Sequence, residues 1–335
     1  MVRSKPFWIG GGLVLPLLIF AWSKTGISVS QLLTDNVYLL NMKSSGLMFA
    51  LGPFIELDDF VALRADAFFF NVNFNSDNTV FLSGCQVQKV FQLPMIGNND
   101  ALYINASVFL PSYYTDYSFT EFKLGDSLGI YFASKYRWVT DAAIEYRNFM
   151  ADSIDSYFQP EFSTSVTLPI PYAFLSPKIH AGIKKYENRD IPFYDLSLNF
   201  ALPLTYSYSC SFIFDFYRAG SPNEGSPLTG SYADDPFFEQ ENIHQSTDLT
   251  FYFNRLFIRQ YAELGIEFEV YNRDFFEVES LERNDRGARL RAEFTKSLNS
   301  HFAMVLGIES IFNSSSAADF SYTKTGLELN IEWIF

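Results

Sequence analysis

Cysteine, histidine, positive charge and long apolar runs are all scarce in this chain. Two cysteines occur in 335 residues, Cys85 and Cys210, far apart and on segments with no reason to be neighbours. A disulfide framework is therefore excluded as an organising principle. There are three histidines, His180, His244 and His301, and no Cys/His cluster has metal-ligand spacing, so neither a metal nor any other cofactor is expected. With 24 basic against 38 acidic residues and a formal net charge of −14, nucleic acid is not bound through overall charge. Beyond residue 20 no apolar stretch approaches the roughly 20 residues that a membrane helix needs.

What is abundant is aromatic. Phe (37) and Tyr (20) bring the aromatic share to 18%, far above what one soluble core uses. A barrel in lipid wears such residues outside, facing the acyl chains and at both interfaces. Its mean hydropathy still falls near zero, because lipid-facing and lumen-facing positions cancel.

The N-terminus reads as a secretory signal. Arg3 and Lys5 supply a positive start, residues 7–20 an apolar stretch, and Ala21-Trp22-Ser23 a small-x-small cleavage site before Lys24. A membrane anchor is the competing reading. The run is short for a span, and Gly10-Gly11-Gly12 with Pro16 weaken it as a helix. Loss of Arg3 and Lys5 on cleavage takes the formal charge from −14 to −16.

From about residue 60 the chain alternates. Tyr206, Tyr208, Cys210, Phe212, Phe214 and Phe216 are separated by Ser207, Ser209, Ser211 and Asp215. Ala262, Leu264, Ile266, Phe268 and Val270 alternate with Glu263, Gly265, Glu267 and Glu269, and Ala288, Leu290, Ala292 and Phe294 with Arg289, Arg291, Glu293 and Thr295. Period two is a strand with one apolar and one polar face. Several such segments reach 10 residues or more, nearer the 9 to 11 that cross a bilayer at a tilt than the 5 to 6 of a β-sandwich strand. The periodicity predicts fourteen strands, near 60–74, 79–92, 101–113, 127–136, 139–150, 157–168, 172–186, 193–202, 206–218, 247–257, 260–272, 287–297, 301–313 and 320–335. A further pair, 37–43 with 46–57, would make sixteen, and the range open is twelve to sixteen. The run Phe68-Phe69-Phe70 breaks phase and predicts a bulge.

The links alternate too. Short ones fall at 168–171, 202–205, 254–260 and 297–300, and longer polar ones at 151–156, 187–192, 219–246, 273–286 and 313–319. The last segment, Leu327, Leu329, Ile331, Trp333 and Phe335 against Glu328, Asn330 and Glu332, closes on an aromatic. Together, the signal-like start, the long alternating strands, the two unlike rims and Phe335 resemble bacterial outer-membrane β-barrels of the porin type over residues 46–335. The resemblance implies an all-β, transmembrane, antiparallel up-and-down β-barrel of about 14 strands. It implies a signal peptide at 1–23, a periplasmic segment at 24–45 and the barrel at 46–335. Trp333 and Phe335 would then serve as the assembly signal. The implied surroundings are outer-membrane lipid and lipopolysaccharide, with the barrel assembly machinery and periplasmic chaperones as partners in biogenesis.

Taking the polar phase as the lumen collects candidate pore-lining residues of both signs: Lys178, His180 and Lys184 on one strand, Arg289 and Arg291 on another, and Glu263, Glu267, Glu269, Glu309 and Glu328 toward the C-terminus. Facing rows would give a field that sorts solutes by charge. Alternatively, the charges pair across strands and close the interior. The function expected is a passive channel for small solutes; the alternative is a surface scaffold, an adhesin or the portal of a polysaccharide or protein export system. Catalysis is not expected: His180 lies between two lysines, His301 at a short turn, and His244 in the longest link near Glu241 and Asp248. That link also holds Asp234, Asp235 and Glu239 around Phe237-Phe238, at no spacing known for calcium.

Overall fold

The computed structural model describes residues 23–34, 46–57, 61–72, 75–93, 98–111, 119–132, 136–150, 156–187, 190–220, 243–257, 261–275 and 283–334. Side-chain statements below concern residues from 119 onward. Sixteen strands lie in this part of the chain: β1 Ser23–Thr34, β2 Gly46–Leu57, β3 Val61–Val72, β4 Asn75–Leu93, β5 Asn98–Pro111, β6 Phe119–Phe132, β7 Tyr136–Phe149 and β8 Tyr157–Ile170. They continue as β9 Ala173–Tyr186, β10 Asp190–Thr205, β11 Tyr208–Ala219, β12 Ile243–Phe257, β13 Ala262–Phe275, β14 Asn284–Asn299, β15 Phe302–Ser315 and β16 Tyr322–Ile334. Each pairs antiparallel with its sequence neighbours, and β1 pairs with β16 from Gly26↔Ile334 to Thr34↔Gly326, which closes the barrel. Closure satisfies the backbone groups that an open edge would leave unpaired.

The alternation sets which face is which. Ile179 (51% exposed), Leu290 (50%) and Phe312 (59%) are on the outer phase of β9, β14 and β15, and exposed large apolar side chains occur on every strand from β6 to β16. Apolar residues facing out, with no large central core among the described residues, are what a barrel in lipid requires. The buried apolar cluster is small and local: Tyr157, Tyr186, Ile191, Phe193 and Ala219 near one rim.

Two rims differ as expected. At one, β8–β9, β10–β11 and β14–β15 are joined by tight two-residue turns. Tyr172, Tyr206 and Tyr261 protrude from short turns at this rim, 92%, 99% and 76% exposed, where an aromatic girdle belongs. Tyr172 (φ 64°) and Tyr261 (φ 49°) take the left-handed conformation that reverses the chain. The other rim carries the long connections. There Tyr146, Phe158 and Tyr194 face outward.

Several expectations are corrected. The strand number is sixteen, the top of the expected range rather than about fourteen. The partner of β2 is Ser23–Thr34, not 37–43, so the first part of the expected periplasmic segment 24–45 is wall. Ile27 and Val29 alternate with Ser28 and Ser30, but Gln31 and Leu32 invert the pattern, so periodicity fades where pairing with β2 and β16 holds the strand. β6 begins at Phe119 rather than near 127. β10, β12 and β14 begin several residues earlier than predicted, inside segments taken as links. The register shift expected at Phe68-Phe69-Phe70 falls between Phe70 and Val72. Cys85 on β4 and Cys210 on β11 are seven strands apart around the wall. Residues 1–22, 35–45 and Phe335 lie outside the described residues, and with them most of the expected signal segment.

Candidate functional site: the charged inner wall

The polar phase of β6 through β16 carries two groups of ion pairs. In the first, on β6 to β9, Arg147 Nη2 approaches Glu121 Oε2 at 2.7 Å and Glu145 Oε1 at 3.9 Å. Lys123 contacts Glu145 at 3.4 Å and also pairs with Glu161, which lies 3.4 Å from His180 Nε2. The register explains the meeting: Glu121↔Arg147, Lys123↔Glu145 and Glu145↔Gln159 are cross-strand partners. Such directly opposed pairs of opposite sign support the sheet.

The second group runs over β12 to β16. Arg273 sits 3.7 Å from Asp248 and 3.0 Å from Glu269. Arg289 reaches Glu309 at 2.7 Å, Glu267 at 3.6 Å and Glu269 at 3.7 Å, and Lys324 meets Glu309 at 3.2 Å. Arg291 lies 3.1 Å from Glu293 and 3.2 Å from Glu328. Glycine clears this wall. In the row Gly265↔Glu293↔Gly307↔Glu328, glutamates alternate with glycines, and a Cβ on Gly307 would come 3.3 Å from that of Glu328. On β13 to β16 the polar face has eight acids, Glu263, Glu267, Glu269, Asp285, Glu293, Glu309, Glu328 and Glu332, against four bases, Arg273, Arg289, Arg291 and Lys324. Acid dominates this quarter of the wall.

Between the groups the wall forms a concave cavity of about 460 Å³. It follows seven consecutive strands near the long-connection rim, with Glu145, Arg147, Gln159, Lys184, Asp248 and Arg273 among its lining residues. Rings hold the cations in place: Arg147 lies over Phe119 (4.7 Å) and Tyr157 (5.3 Å), Lys184 over Tyr157 (5.0 Å) and Arg273 over Tyr271 (4.1 Å). Tyr157 also donates to Glu145 Oε1 at 2.9 Å. The Phe193 ring fills the space over Gly182, where a Cβ would come within 2.6 Å of it.

No protein-family model matches the chain, and no curated protein matches it in sequence. Solved structures do match in shape. A structure described as a bacterial polysaccharide outer membrane secretin superposes with a TM-score of 0.52 at 8% identity, covering 93% of this chain and 98% of that one. Pseudomonas aeruginosa OpdK with vanillate gives 0.50 at 7%, covering 93% and 99%, and Acinetobacter baumannii OccAB4 gives 0.50 at 9%, covering 94% and 99%. The chain has the fold of an outer-membrane β-barrel.

Within this outer-membrane barrel fold, the residues expected to line a pore share the polar phase. Glu267, Glu269, Arg289, Arg291, Glu309 and Glu328 meet in the second ion-pair group. Lys178, His180 and Lys184 alternate along β9 but do not act together. His180 packs edge-on against Phe193 (5.3 Å) beside Glu161, Lys184 belongs to the cavity, and Lys178 is opposite Ser165 and Ser197. Glu263 sits apart at the short-turn rim, bonded by Asn254. Trp333 is on the outer phase and half exposed. His244 is on β12 rather than in a link. The acidic link segment around Phe237-Phe238 is outside the described residues.

Sequence reasoning missed Glu121, Lys123, Asp248 and Arg273. Glu121, Lys123 and Arg273 lay outside the predicted strands, and Asp248 lay within 247–257 without being assigned to the lumen. Extending the alternation of β6, β12 and β13 toward the rims would have found them.

Proposed function

We propose that this barrel resides in a bacterial outer membrane and is a passive channel for small solutes. The observation that carries this reading is the direction of the ion pairs. Every pair named above joins side chains on the same or nearby wall strands, so charges lie along the wall, and a hydrated centre keeps them solvated. The excess of acid on β13 to β16 favours cations near that wall. Lipid and lipopolysaccharide surround the apolar band, and residues 1–23 direct export. No catalytic role is assigned: His180 serves Glu161 and Phe193 as an ion-pair and packing partner.

Bilayer recording tests the channel. Purified barrel should insert with stepwise conductance and a reversal potential favouring cations in a salt gradient. Insertion without current at any voltage rejects the channel and favours the export-portal reading, which rests on likeness of fold to the polysaccharide secretin alone.

A further inference from the structure

The cavity has a lysine at one end and, at the other, a carboxylate with one oxygen that accepts no hydrogen bond. Most of its charge is internally spent: Arg147 is held by Glu121, and Glu145 accepts from Tyr157 and pairs with Lys123. Lys184 on β9 has no carboxylate within ion-pair distance among the described residues, and its neighbour is the ring of Tyr157. Near it, Gln159 is 7% exposed and its Oε1 accepts no hydrogen bond. At the far end Asp248 on β12 takes a bond from Ser246 on Oδ2 only. Its Oδ1 is buried without a hydrogen bond, as is Arg273 Nε at 3.7 Å. Between the two ends stand Phe193 and Tyr217, their rings 6.2 Å apart.

Buried polar atoms without partners cost free energy that a ligand can recover. From β9 to β12 is three strand spacings, about 14 Å of wall. An anion and a cation on one carbon would not reach both ends, whereas charges separated by several bonds would. We propose that this cavity binds a short zwitterionic peptide with an apolar side chain. Its carboxylate meets Lys184, its ammonium meets Asp248 Oδ1, and its body lies along Phe193 and Tyr217. The proposal deepens the channel reading, making the cavity a solute-selecting station on the path.

The test is calorimetric titration of the full-length barrel in detergent with alanylphenylalanine, its N-acetyl form, its C-terminal amide, and phenylalanine. The dipeptide should bind, and each blocked form and phenylalanine should bind about tenfold more weakly or worse. Lys184→Met should equalise the dipeptide and its amide, and Asp248→Asn the dipeptide and its N-acetyl form. Heat-dependent gel mobility verifies that both variants fold. Equal binding of a blocked form or of phenylalanine, or no binding of the dipeptide, overturns the proposal. Because calorimetry needs no current, binding without conductance rejects the channel and keeps the site, and conductance without binding does the reverse.

Discussion

The ring of Tyr271 occupies the space that a side chain on Gly287 would need: a Cβ there would come within 2.3 Å of the ring. The two residues face each other across β13 and β14. In this position the Tyr271 hydroxyl donates to Asn313 Oδ1 at 3.0 Å, and Asn313 Nδ2 donates to Asp285 at 3.1 Å.

Gly287→Ala should therefore displace the ring and break the bond to Asn313. We expect a loss of about 1–3 kcal/mol, the cost of overpacking a tight site. Urea unfolding of the barrel in lipid or detergent measures it, and an unchanged midpoint would mean that both the ring and the Phe312 carbonyl, 2.5 Å from that Cβ, move aside freely.

Arg283→Met should be more damaging. Arg283 binds Asp285 at 2.6 Å with both side chains nearly inaccessible, and its guanidinium lies between the rings of Phe275 (4.1 Å) and Phe320 (3.7 Å). Removing it leaves a buried carboxylate without its cation, at a cost of roughly 3–5 kcal/mol. The double variant with Asp285→Asn should recover much of that loss in the same unfolding assay.

Selectivity should move in opposite directions for opposite charges. Joint replacement of Glu263, Glu293 and Glu328 by Gln should lower cation preference, and Arg289→Met should raise it. Reversal potentials in a salt gradient read both signs. Both effects should shrink at 1 M salt, where screening acts within about 3 Å.

Tyr172→Asn should stabilise the β8–β9 turn. The residue has φ 64°, which a bulky side chain adopts at a cost and Asn tolerates. A gain of about 0.5–1 kcal/mol is expected from unfolding midpoints.

Strand spans were legible because lipid enforces the alternation. In the middle of the membrane one face must be apolar, so each of the fourteen predicted strands overlaps an observed one. Toward the rims that constraint relaxes, and Glu121, Lys123 and Arg273 were left outside the predicted strands. β1 was hidden for a related reason: Gln31 and Leu32 invert its pattern, and its identity comes from pairing with β2 and with β16, some three hundred residues away.

The sequence by itself determined an all-β chain with an apolar outside, a polar inside and two unlike rims, because a two-residue period needs only local side-chain chemistry to be read. Tertiary structure alone decided which charges meet. Arg289 reaches Glu309, and Lys184 and Asp248 face the same cavity, through register and wall curvature. Those are properties of strand pairing around the whole barrel, which no single segment encodes.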